Sequence, residues 1–370
     1  MIENHITNLT IDNFKIHSHC NIEISDKKNV ALVGKNGSGK TSILEAISLF
    51  SPGKGLISGS YNTIPNYNKI SEDVFVSLKL ANSYDLQLRI KNNQNNKELF
   101  INNKKQTKQT EVSNLLTIMW FTPGIQYEFT TSKTERRKVF DRMIFSLKSN
   151  HLDLLLEYDK ITKERSDFIG NLSHNEIKSN KMLDILEQKI AEINYEIILN
   201  RLQITGKLNS IDLDSYKIKN SPINISINKD NEDKITLDSI DNHDCFIKNS
   251  TIELNSIREK DKYSGRSNFS LNKIDFSVQI NNNSKIKQNS SGEQKMILLS
   301  IMMKNIILIK NQDKQMVFLG DEILSFLDTD HSNQLLNNLK EMKCQTLITA
   351  VEKNKNILEK YDFMIHETEL

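Results

Sequence analysis

The stretch Asn29-Val-Ala-Leu-Val-Gly-Lys-Asn-Gly-Ser-Gly-Lys-Thr41 determines how this chain is expected to fold. Its first five residues form an apolar run of strand length, and after Thr41 the apolar residues recur at helical spacing. Between these two segments, residues 34–41 match the phosphate-loop pattern Gly-x-x-x-x-Gly-Lys-[Ser/Thr] at every position. A strand, a glycine-rich loop and a helix in this order predict an α/β domain that binds a nucleotide.

The residue types of this loop suit a bound triphosphate. Its three glycines allow successive backbone N–H groups to face one anion, and the N-terminus of the following helix adds its dipole. Lys40 can reach the β and γ phosphates, and the Thr41 hydroxyl can ligate Mg²⁺. A glycine turn that binds nothing is the weaker alternative in this context. ATP is therefore expected at Gly34, Lys35, Asn36, Gly37, Ser38, Gly39, Lys40 and Thr41, with Mg²⁺ at Thr41.

A second apolar strand, Met316 to Leu319, leads through a glycine to two carboxylates. This arrangement predicts that Asp321 belongs to the Mg²⁺ shell and that Glu322 lies against the attacking water. A strand that ends in Asp-Glu is more often a solvated strand end, but the phosphate loop elsewhere in the chain favours the functional interpretation. The candidate catalytic residues are Lys40, Asp321 and Glu322, and the candidate metal ligands are Thr41 and Asp321.

Between these motifs, Ser290-Ser-Gly-Glu-Gln-Lys295 precedes a strongly apolar helix. A Ser-Gly turn at a helix start leaves N–H donors and a hydroxyl that suit a second anion contact. The alternative is a capping box, with Ser290 as N-cap and Glu293 three residues later, and both interpretations can hold together. The candidates for the second anion contact are Ser291, Gly292, Glu293 and Gln294.

The composition is typical of a globular protein. With 370 residues, 37% of them hydrophobic and 26% charged, the chain has room for two domains or for one large domain with an insertion. Pure disorder is excluded by the same figures. The formal charge of +2 excludes a polycation, so any nucleic acid must be bound through local basic patches.

Three further features concern the compartment. The three cysteines, Cys20, Cys245 and Cys344, are far apart and odd in number, which argues against a disulfide framework and for a reducing environment. The apolar run from Met296 to Ile309 is shorter than the ~20 residues that span a bilayer, and it predicts a buried helix. Residues 1–5 lack the character of a secretory signal. We therefore expect a cytoplasmic protein without a membrane segment.

Patterns in the N-terminal half predict a sheet followed by a helical arm. Apolar alternation predicts strands at Ile6 to Phe14 and at Cys20 to Ile24, and an antiparallel meander over residues 73–102. Residues 134–205 have helical periodicity, with a turn expected at Gly170 to Asn175. Apolar residues at heptad spacing after this turn predict the second helix of a hairpin. These residues are Leu183, Leu186, Ile190, Ile193 and Ile197.

In the C-terminal part, strand patterns return within residues 221–280. Helices are expected from about residue 292 and from about residue 330, and a strand is expected over Gln345 to Ala350. The predicted division is an N-terminal part of the α/β domain, a helical arm and a C-terminal part of the same domain, at 1–133, 134–210 and 211–370.

Taken together, these motifs resemble an ABC-type ATPase head. Asp328 closes the segment Asp321-Glu-Ile-Leu-Ser-Phe-Leu-Asp328 at the position of the D-loop of that class. The insertion between the phosphate loop and Ser291 is longer than a transporter ATPase needs and far shorter than that of a chromosome-condensation ATPase. The implied fold is an α/β ATPase head with an antiparallel β subdomain and an inserted helical-hairpin arm.

The resemblance narrows to the RecF family of bacterial recombination and replication-repair ATPases, and it covers the chain from end to end. Two segments depart from the family pattern: Ser270-Leu-Asn-Lys-Ile-Asp275 stands where the family has Gly-Pro-His-Arg-x-Asp, and Gly124-Ile125 replaces an acidic pair. The matching segments are Asn13-Phe-Lys15, Gly34 to Ile47, Trp120-Phe-Thr-Pro123, Glu135-Arg-Arg137 with Phe140-Asp141, Tyr158 with Arg165, Arg258-Glu-Lys-Asp261, Gly265-Arg-Ser267 and Ser290 to Lys295.

This resemblance implies a weak ATPase that acts as an ATP-dependent DNA-binding clamp in replication and recombinational repair, as part of the SOS response to DNA damage. ATP would close a homodimer in which Ser291 and Gly292 of one copy complete the γ-phosphate site of the other. Implied partners are single-stranded and double-stranded DNA and mediators of the RecR and RecO type, with recombinase loading at gapped DNA. The alternatives are the ATPase subunit of a transporter and an ABC-type switch that does not bind DNA.

Two other clusters have simpler explanations. The segment His17-Ser-His19-Cys20 places two imidazoles on one strand face, but no further Cys or His cluster in the sequence completes a metal site. The basic run Arg136, Arg137 and Lys138 could contact phosphate. A solvated helix face or an internal set of ion pairs is the more common reason for such a run.

Overall fold

The computed structural model describes residues 5–24, 29–57, 59–92, 94, 96–178, 180–214, 223–229, 234–269, 271–280, 284–286, 289–341 and 344–368. Residues 1–4 and Ser270, on which sequence predictions were made, lie outside this set. The chain forms two compact units. The first is built from described residues within 1–126, 214–218 and 306–370, and the second from those within 127–213 and 219–305.

Strands and helices occupy most of the described chain. The strands are β1 Ile6–Phe14, β2 His17–Glu23, β3 Asn29–Val33, β4 Val74–Leu80, β5 Asp85–Ile90, β6 Glu98–Ile101, β7 Lys104–Gln106, β8 Thr117–Phe121, β9 Ile223–Asn228, β10 Lys234–Ile235, β11 Asp275–Ile280, β12 Ser284–Lys285, β13 Met316–Gly320, β14 Gln345–Ala350 and β15 Met364–Glu367. The α-helices are α1 Lys40–Ser48, α2 Gln109–Leu115, α3 Ile125–Thr131, α4 Lys133–Leu147, α5 Asn150–Asn171, α6 His174–Lys178, α7 Lys181–Ser210, α8 His243–Ser256, α9 Arg258–Ser264, α10 Ser291–Lys310, α11 Ile323–Phe326, α12 Thr329–Glu341 and α13 Lys355–Lys360.

A parallel sheet in the first unit carries the phosphate loop. Its strand order is β15-β3-β14-β13-β8, and each neighbouring pair is parallel. The four strands β3, β8, β13 and β14 are buried almost throughout, which explains why their sequences are continuous apolar runs. Because the carboxyl ends of parallel strands meet at one edge, the loop after β3 and the acids after β13 lie at the same edge.

An antiparallel sheet of order β2-β1-β4-β5-β6-β7 completes the first unit. Its strands β4, β5 and β6 are the meander predicted over residues 73–102. The Gln345 side chain of β14 accepts a hydrogen bond from Ile6 N at 2.7 Å and donates one to Ile6 O at 2.8 Å, which joins the two sheets. The two sheets and α1 share one apolar core, which includes Leu9, Val76, Ile43, Ile47 and Val317.

The second unit contains the predicted helical hairpin. Helices α5 and α7 pack against each other, and the short α6 lies in the connection between them. The five heptad-spaced residues of α7, from Leu183 to Ile197, are at most 9% exposed. The seam predicted from the sequence is therefore the buried face of α7. The predicted domain boundaries at residues 134 and 211 stay a prediction. The second compact unit, within 127–213 and 219–305, extends beyond both ends of the predicted arm.

The same unit has a sheet of order β10-β9-β11-β12. Strands β9 and β11 were predicted from alternation, but the helices α8 and α9 between them were not. Helix α8 buries only Ile247, Ser250 and Leu254, so its apolar stripe is too weak to dominate the local pattern. Its start has a local signal, because the Asn242 side chain accepts a hydrogen bond from Cys245 N.

A buried network of ion pairs joins α5, α7 and α9. Arg165 of α5 donates from Nε to Glu187 Oε1 at 2.9 Å and from Nη1 to Asp261 Oδ2 at 2.5 Å. Arg258 of α9 also donates to Glu187, at 2.9 Å, and to Asp184 at 2.6 Å. Three residues of this network belong to segments that carry the family resemblance, namely Arg165, Arg258 and Asp261. We infer that these matches reflect helix packing and not a ligand site.

None of the helices among the described residues has both the length and the apolar character needed to cross a membrane.

Removal of the Arg165 cation should destabilise the second unit. In the Arg165→Met variant two buried carboxylates lose a partner, and we expect the free energy of unfolding to fall by about 3–5 kcal/mol. Urea denaturation followed by circular dichroism measures this change. Arg266→Met, at an exposed position of the same unit, is the control and should stay within about 0.5 kcal/mol of the wild type. Equal stability of the two variants would contradict a structural role for Arg165.

Candidate nucleotide-binding site

The phosphate loop connects β3 to α1, and two of its glycines adopt a conformation that other residues rarely tolerate. Gly37 has φ 87° and Gly39 has φ 85°, both in the left-handed region. A Cβ atom on Gly39 would lie 2.5 Å from Ile16 and from the His17 ring. His17 Nε2 donates to the Gly39 carbonyl oxygen at 3.1 Å. The loop is thus held against the turn between β1 and β2.

Lys40 is buried and lies against the backbone of its own loop. Its Nζ donates to the Gly34 carbonyl oxygen at 2.8 Å and to the Lys35 carbonyl oxygen at 2.7 Å. An ammonium group at this place can bridge the β and γ phosphates of a nucleotide bound on the loop. The geometry therefore suits the role predicted for Lys40.

The other side of the loop packs against the end of β15. Ser38 Oγ lies 2.7 Å from Thr368 Oγ1, and a Cβ atom on Gly34 would lie 2.5 Å from the same Thr368 oxygen. The first glycine of the pattern is thus required by close packing and not by a positive φ. A cleft of about 590 Å³ opens at this place. It is lined by Val33, Gly34, Lys35, Ser38, Glu352, Lys355, Glu367 and Thr368.

Thr41 and Asp321, the two residues predicted to bind the metal, are in direct contact. Thr41 Oγ1 donates to Asp321 Oδ1 at 2.9 Å. The backbone N–H of Asp321 donates to Phe121 O at 2.9 Å, which fixes the residue beside the end of β8. Mg²⁺ prefers one or two such protein oxygens together with phosphate oxygens and water. The pair therefore fits Mg²⁺ bound with a nucleotide, and the assignment remains a prediction.

Glu322 follows Asp321 in a strained backbone conformation. Its φ of 47° lies in the left-handed region, which is uncommon for a residue other than glycine and is often found at functional sites. Its backbone N–H donates to Thr349 Oγ1 at 2.7 Å, and the same hydroxyl donates to Asp321 Oδ1 at 2.8 Å. Glu322 is exposed at the sheet edge, where a water can reach its carboxylate. Thr349 was not identified from the sequence.

The signature segment, Ser291 to Gln294, begins α10, and the capping box is formed. Ser290 Oγ accepts from Glu293 N at 3.3 Å, and Glu293 Oε2 accepts from Ser290 N at 2.8 Å. The Ser290 backbone N–H, and then its hydroxyl, hold the pKa of Glu293 below its usual value. Ser291 and Gly292 are exposed, as a contact with a second molecule requires. The capping interpretation and the anion-contact interpretation are therefore compatible.

Asp328, predicted as the D-loop acid, has a local role at the start of α12. Its Oδ1 accepts from His331 N at 2.9 Å, and its Oδ2 lies 2.6 Å from His331 Nδ1. The His331 backbone N–H, and then its imidazole, lower the pKa of the Asp328 carboxyl. The residue is exposed, so a further role at an interface stays a prediction.

The histidines of the segment His17 to Cys20 and the basic run Arg136 to Lys138 have structural partners. His17 contacts the phosphate loop, and His19 Nδ1 lies 2.6 Å from Asp12 Oδ1. Within the described ranges, no group of three or more His, Cys, Asp or Glu side chains is placed to hold a metal ion. Arg136 and Arg137 are buried, and Arg136 forms an ion pair with Asp275. The basic run therefore serves mainly internal ion pairing.

Comparison with known proteins identifies the relatives of this chain. The family model described as "RecF/RecN/SMC N terminal domain" matches residues 5–367. The DNA replication and repair protein RecF of Rickettsia prowazekii (strain Madrid E) is 33% identical over 351 residues, which cover 93% of this chain and 93% of that protein. The protein of the same name from Rickettsia felis (strain ATCC VR-1525 / URRWXCal2) is 31% identical over 352 residues, with 93% and 92% covered.

Solved structures give the same result for the fold. The recombination mediator protein RecF-ATPrS in the RecFOR pathway has a TM-score of 0.81 at 20% identity, covering 99% of this chain and 96% of that chain. The corresponding RecF-ATP structure has a TM-score of 0.80 at 21% identity, covering 95% and 93%. The predicted fold, an α/β ATPase head with an antiparallel β subdomain and an inserted helical-hairpin arm, is confirmed.

Lys40 should be required for nucleotide binding. Two charge-assisted hydrogen bonds from its ammonium to the phosphates are worth at least about 3 kcal/mol, so Lys40→Met should weaken ATP binding roughly 100-fold or more. Equilibrium titration with a fluorescent ATP analogue measures this loss. Lys79→Met, at an exposed position of β4 in the same unit, should bind ATP like the wild type. Unchanged affinity in Lys40→Met would show that ATP does not bind at this loop.

Proposed function

The chain belongs to the RecF family within the RecF/RecN/SMC N-terminal domain group, and we propose that it is an ATP-dependent DNA-binding clamp of DNA replication and recombinational repair. The clamp dimerises on ATP and helps to load recombinase at gapped DNA. The hydrogen bond between Thr41 and Asp321, 2.9 Å long, carries the proposal because it brings the phosphate loop and the strand-end acid into one site.

The proposed reaction is the hydrolysis of ATP. Backbone N–H groups of residues 34–41 and the Lys40 ammonium bind the β and γ phosphates. Mg²⁺ bound by Thr41 and Asp321 would neutralise part of the phosphate charge. Glu322 accepts a hydrogen bond from a water molecule and orients it toward the γ phosphorus. We expect weak turnover, because residues 124–125 and 270–275 depart from the family pattern.

The proposed clamp closes through the signature segment of a second copy. Ser291 and Gly292 are exposed at the start of the 20-residue helix α10, where N–H donors and the helix dipole attract an anion. In the proposed dimer they contact the γ phosphate bound by the other copy, with Asp328 at the interface. Hydrolysis removes this phosphate from the contact, so the dimer opens and DNA is released.

The proposed partners are single-stranded and double-stranded DNA and mediators of the RecR and RecO type. A formal charge of +2 gives one copy little long-range attraction for DNA, so the basic contacts of two copies have to act together. The proposed place of action is the cytoplasm, where separated cysteines remain reduced. A role in the SOS response follows from the same assignment.

Two alternatives were left open by the sequence, the ATPase subunit of a transporter and a switch that does not bind DNA. The relatives described above are named DNA replication and repair proteins, which favours the DNA clamp over the transporter subunit. The switch differs from the clamp in one measurable property, since its ATP cycle would leave DNA affinity unchanged.

Substitution of the two strand-end acids should separate hydrolysis from metal-dependent binding. Glu322→Gln removes the group that orients water, so hydrolysis should fall by about 100-fold or more while ATP affinity stays within about twofold. Asp321→Asn should instead lower the affinity gained on addition of Mg²⁺ by about 10-fold or more. Phosphate release and nucleotide titration with and without Mg²⁺ measure the two effects. Hydrolysis by Glu322→Gln at the wild-type rate would rule out the water-orienting role.

A bulky cation in the signature segment should prevent clamp closure. Ser291→Arg places a long side chain at the proposed contact with the second copy, so ATP should no longer induce dimers or raise DNA affinity. ATP binding by each monomer should stay within about twofold, since the phosphate loop is intact. Sedimentation with and without ATP, together with DNA titration at fixed salt, tests this.

Ser256→Arg, at an exposed serine of the same compact unit, is the matched control and should dimerise like the wild type. Dimerisation of Ser291→Arg on ATP, or a wild-type DNA affinity that ATP does not change, would refute the clamp.

A further inference from the structure

Thr349 connects the two strand-end acids. It lies on β14 and is fully buried. Its hydroxyl donates to Asp321 Oδ1 at 2.8 Å and accepts from Glu322 N at 2.7 Å. A threonine hydroxyl has one hydrogen to donate, so both directions of this pair of bonds are fixed by the chemistry of the partners. The Asp321 carboxylate can only accept, so it accepts the hydrogen of the hydroxyl. The Glu322 N–H donates to the hydroxyl oxygen.

The first of these bonds restrains the Asp321 carboxylate. Asp321 Oδ1 also accepts from Thr41 Oγ1 at 2.9 Å, so one carboxylate oxygen is held from two sides. Two donors at the same oxygen fix the rotation of the carboxylate about its last bond. A metal ligand held in this way keeps its orientation when the ligand set changes, which is the usual effect of a partner outside the metal shell.

The second bond restrains the backbone that carries Glu322. A φ of 47° is unfavourable for a residue with a side chain, so this conformation needs support from its surroundings. The Thr349 hydroxyl supplies the acceptor for the Glu322 N–H. Without that acceptor the partly buried N–H would lack a protein partner, and the peptide would gain by rotating. Rotation would turn the Glu322 side chain away from its place at the sheet edge.

The position of β14 explains why a single hydroxyl can bond both to the Asp321 carboxylate and to the Glu322 backbone. In the parallel sheet β14 lies between β3 and β13, so Thr349 stands between the strand that leads to the phosphate loop and the strand that leads to the acids. Gly320 of β13 is paired with Ile348 of β14, the residue before Thr349. The hydroxyl therefore reaches the first two residues beyond the end of β13.

We propose that Thr349 is a positioning residue for ATP hydrolysis, which orients the metal-side carboxylate of Asp321 and the water-side backbone of Glu322 with one hydroxyl group. This inference rests on the proposed ATPase function and concerns a residue to which that function assigned no role. Because Thr349 is fully buried and its hydroxyl bonds to both acids, its proposed effect passes through them.

The test compares Thr349→Val, which keeps the shape and removes the hydroxyl, with Thr349→Ser, which keeps the hydroxyl. Three quantities are measured for each variant: ATP affinity in EDTA, the gain in affinity on addition of Mg²⁺, and the rate of hydrolysis in a single turnover. For Thr349→Val we expect affinity in EDTA within about twofold of the wild type, and a loss of about 10- to 100-fold both in hydrolysis and in the gain due to Mg²⁺. Thr349→Ser should keep all three within about threefold.

Thermal unfolding shows whether the variants are folded. If Thr349→Val is unfolded, Thr349→Cys replaces it, because a thiol is a poor donor and the same losses are expected. If Thr349 had only a structural role, Thr349→Val would lower stability. It would then reduce ATP affinity in EDTA and the gain in affinity due to Mg²⁺ alike.

The inference is overturned if Thr349→Val hydrolyses ATP like the wild type, or if Thr349→Ser loses as much as Thr349→Val. Either result leaves the proposed function standing, provided that the wild type binds and hydrolyses ATP. A wild type that does not bind ATP overturns the proposed function and this inference together.

Discussion

The candidate site depends on one constraint of the parallel sheet. Strand β14 separates β3 from β13, so the phosphate loop and Asp321 start from strands that are about 10 Å apart. The Asp321 carboxylate closes this gap by accepting hydrogen bonds from Thr41 at 2.9 Å and from Thr349 at 2.8 Å. Without these contacts the loop and the acid would be two separate features of one sheet edge. With them, the Thr41 and Asp321 oxygens and the phosphate loop lie together at one place on the sheet edge.

The loop is also held from the side of the antiparallel sheet. Helix α1, which begins at Lys40, is buried along almost its whole length between the two sheets. Its first turn is fixed by the core, and Gly39 is held by His17 at the start of β2. Lys15, from the turn before β2, is ion-paired with Glu45 of α1. The phosphate loop is therefore held in place by contacts with both sheets.

How much the sequence could predict depends on whether the signal was local. The phosphate loop, the apolar strand before Asp321 and the capping box at Ser290 are read from neighbouring residues, and the structure places each of them at the expected element. Thr349 has no local signal, because its role follows from the order β3-β14-β13, which a pattern of apolar residues does not contain. Arg165 has the same limitation, since its partner Asp261 is distant in the sequence.

The segment that departs most from its family shows how a fold can keep one residue of a motif and lose the others. Asp275 is retained, and it accepts hydrogen bonds from Arg136 Nε at 2.9 Å and Nη2 at 2.5 Å. Arg137 donates to the neighbouring Ile274 carbonyl oxygen at 3.0 Å. Two arginines of α4 are therefore hydrogen-bonded to the start of β11. Loss of this acid would leave a buried guanidinium without its partner, which is costly. Lys273, by contrast, is partly exposed and lies 3.5 Å from Glu253, an arrangement with little energetic weight. Packing thus holds Asp275 in place, whereas the partly exposed Lys273 side chain is less constrained.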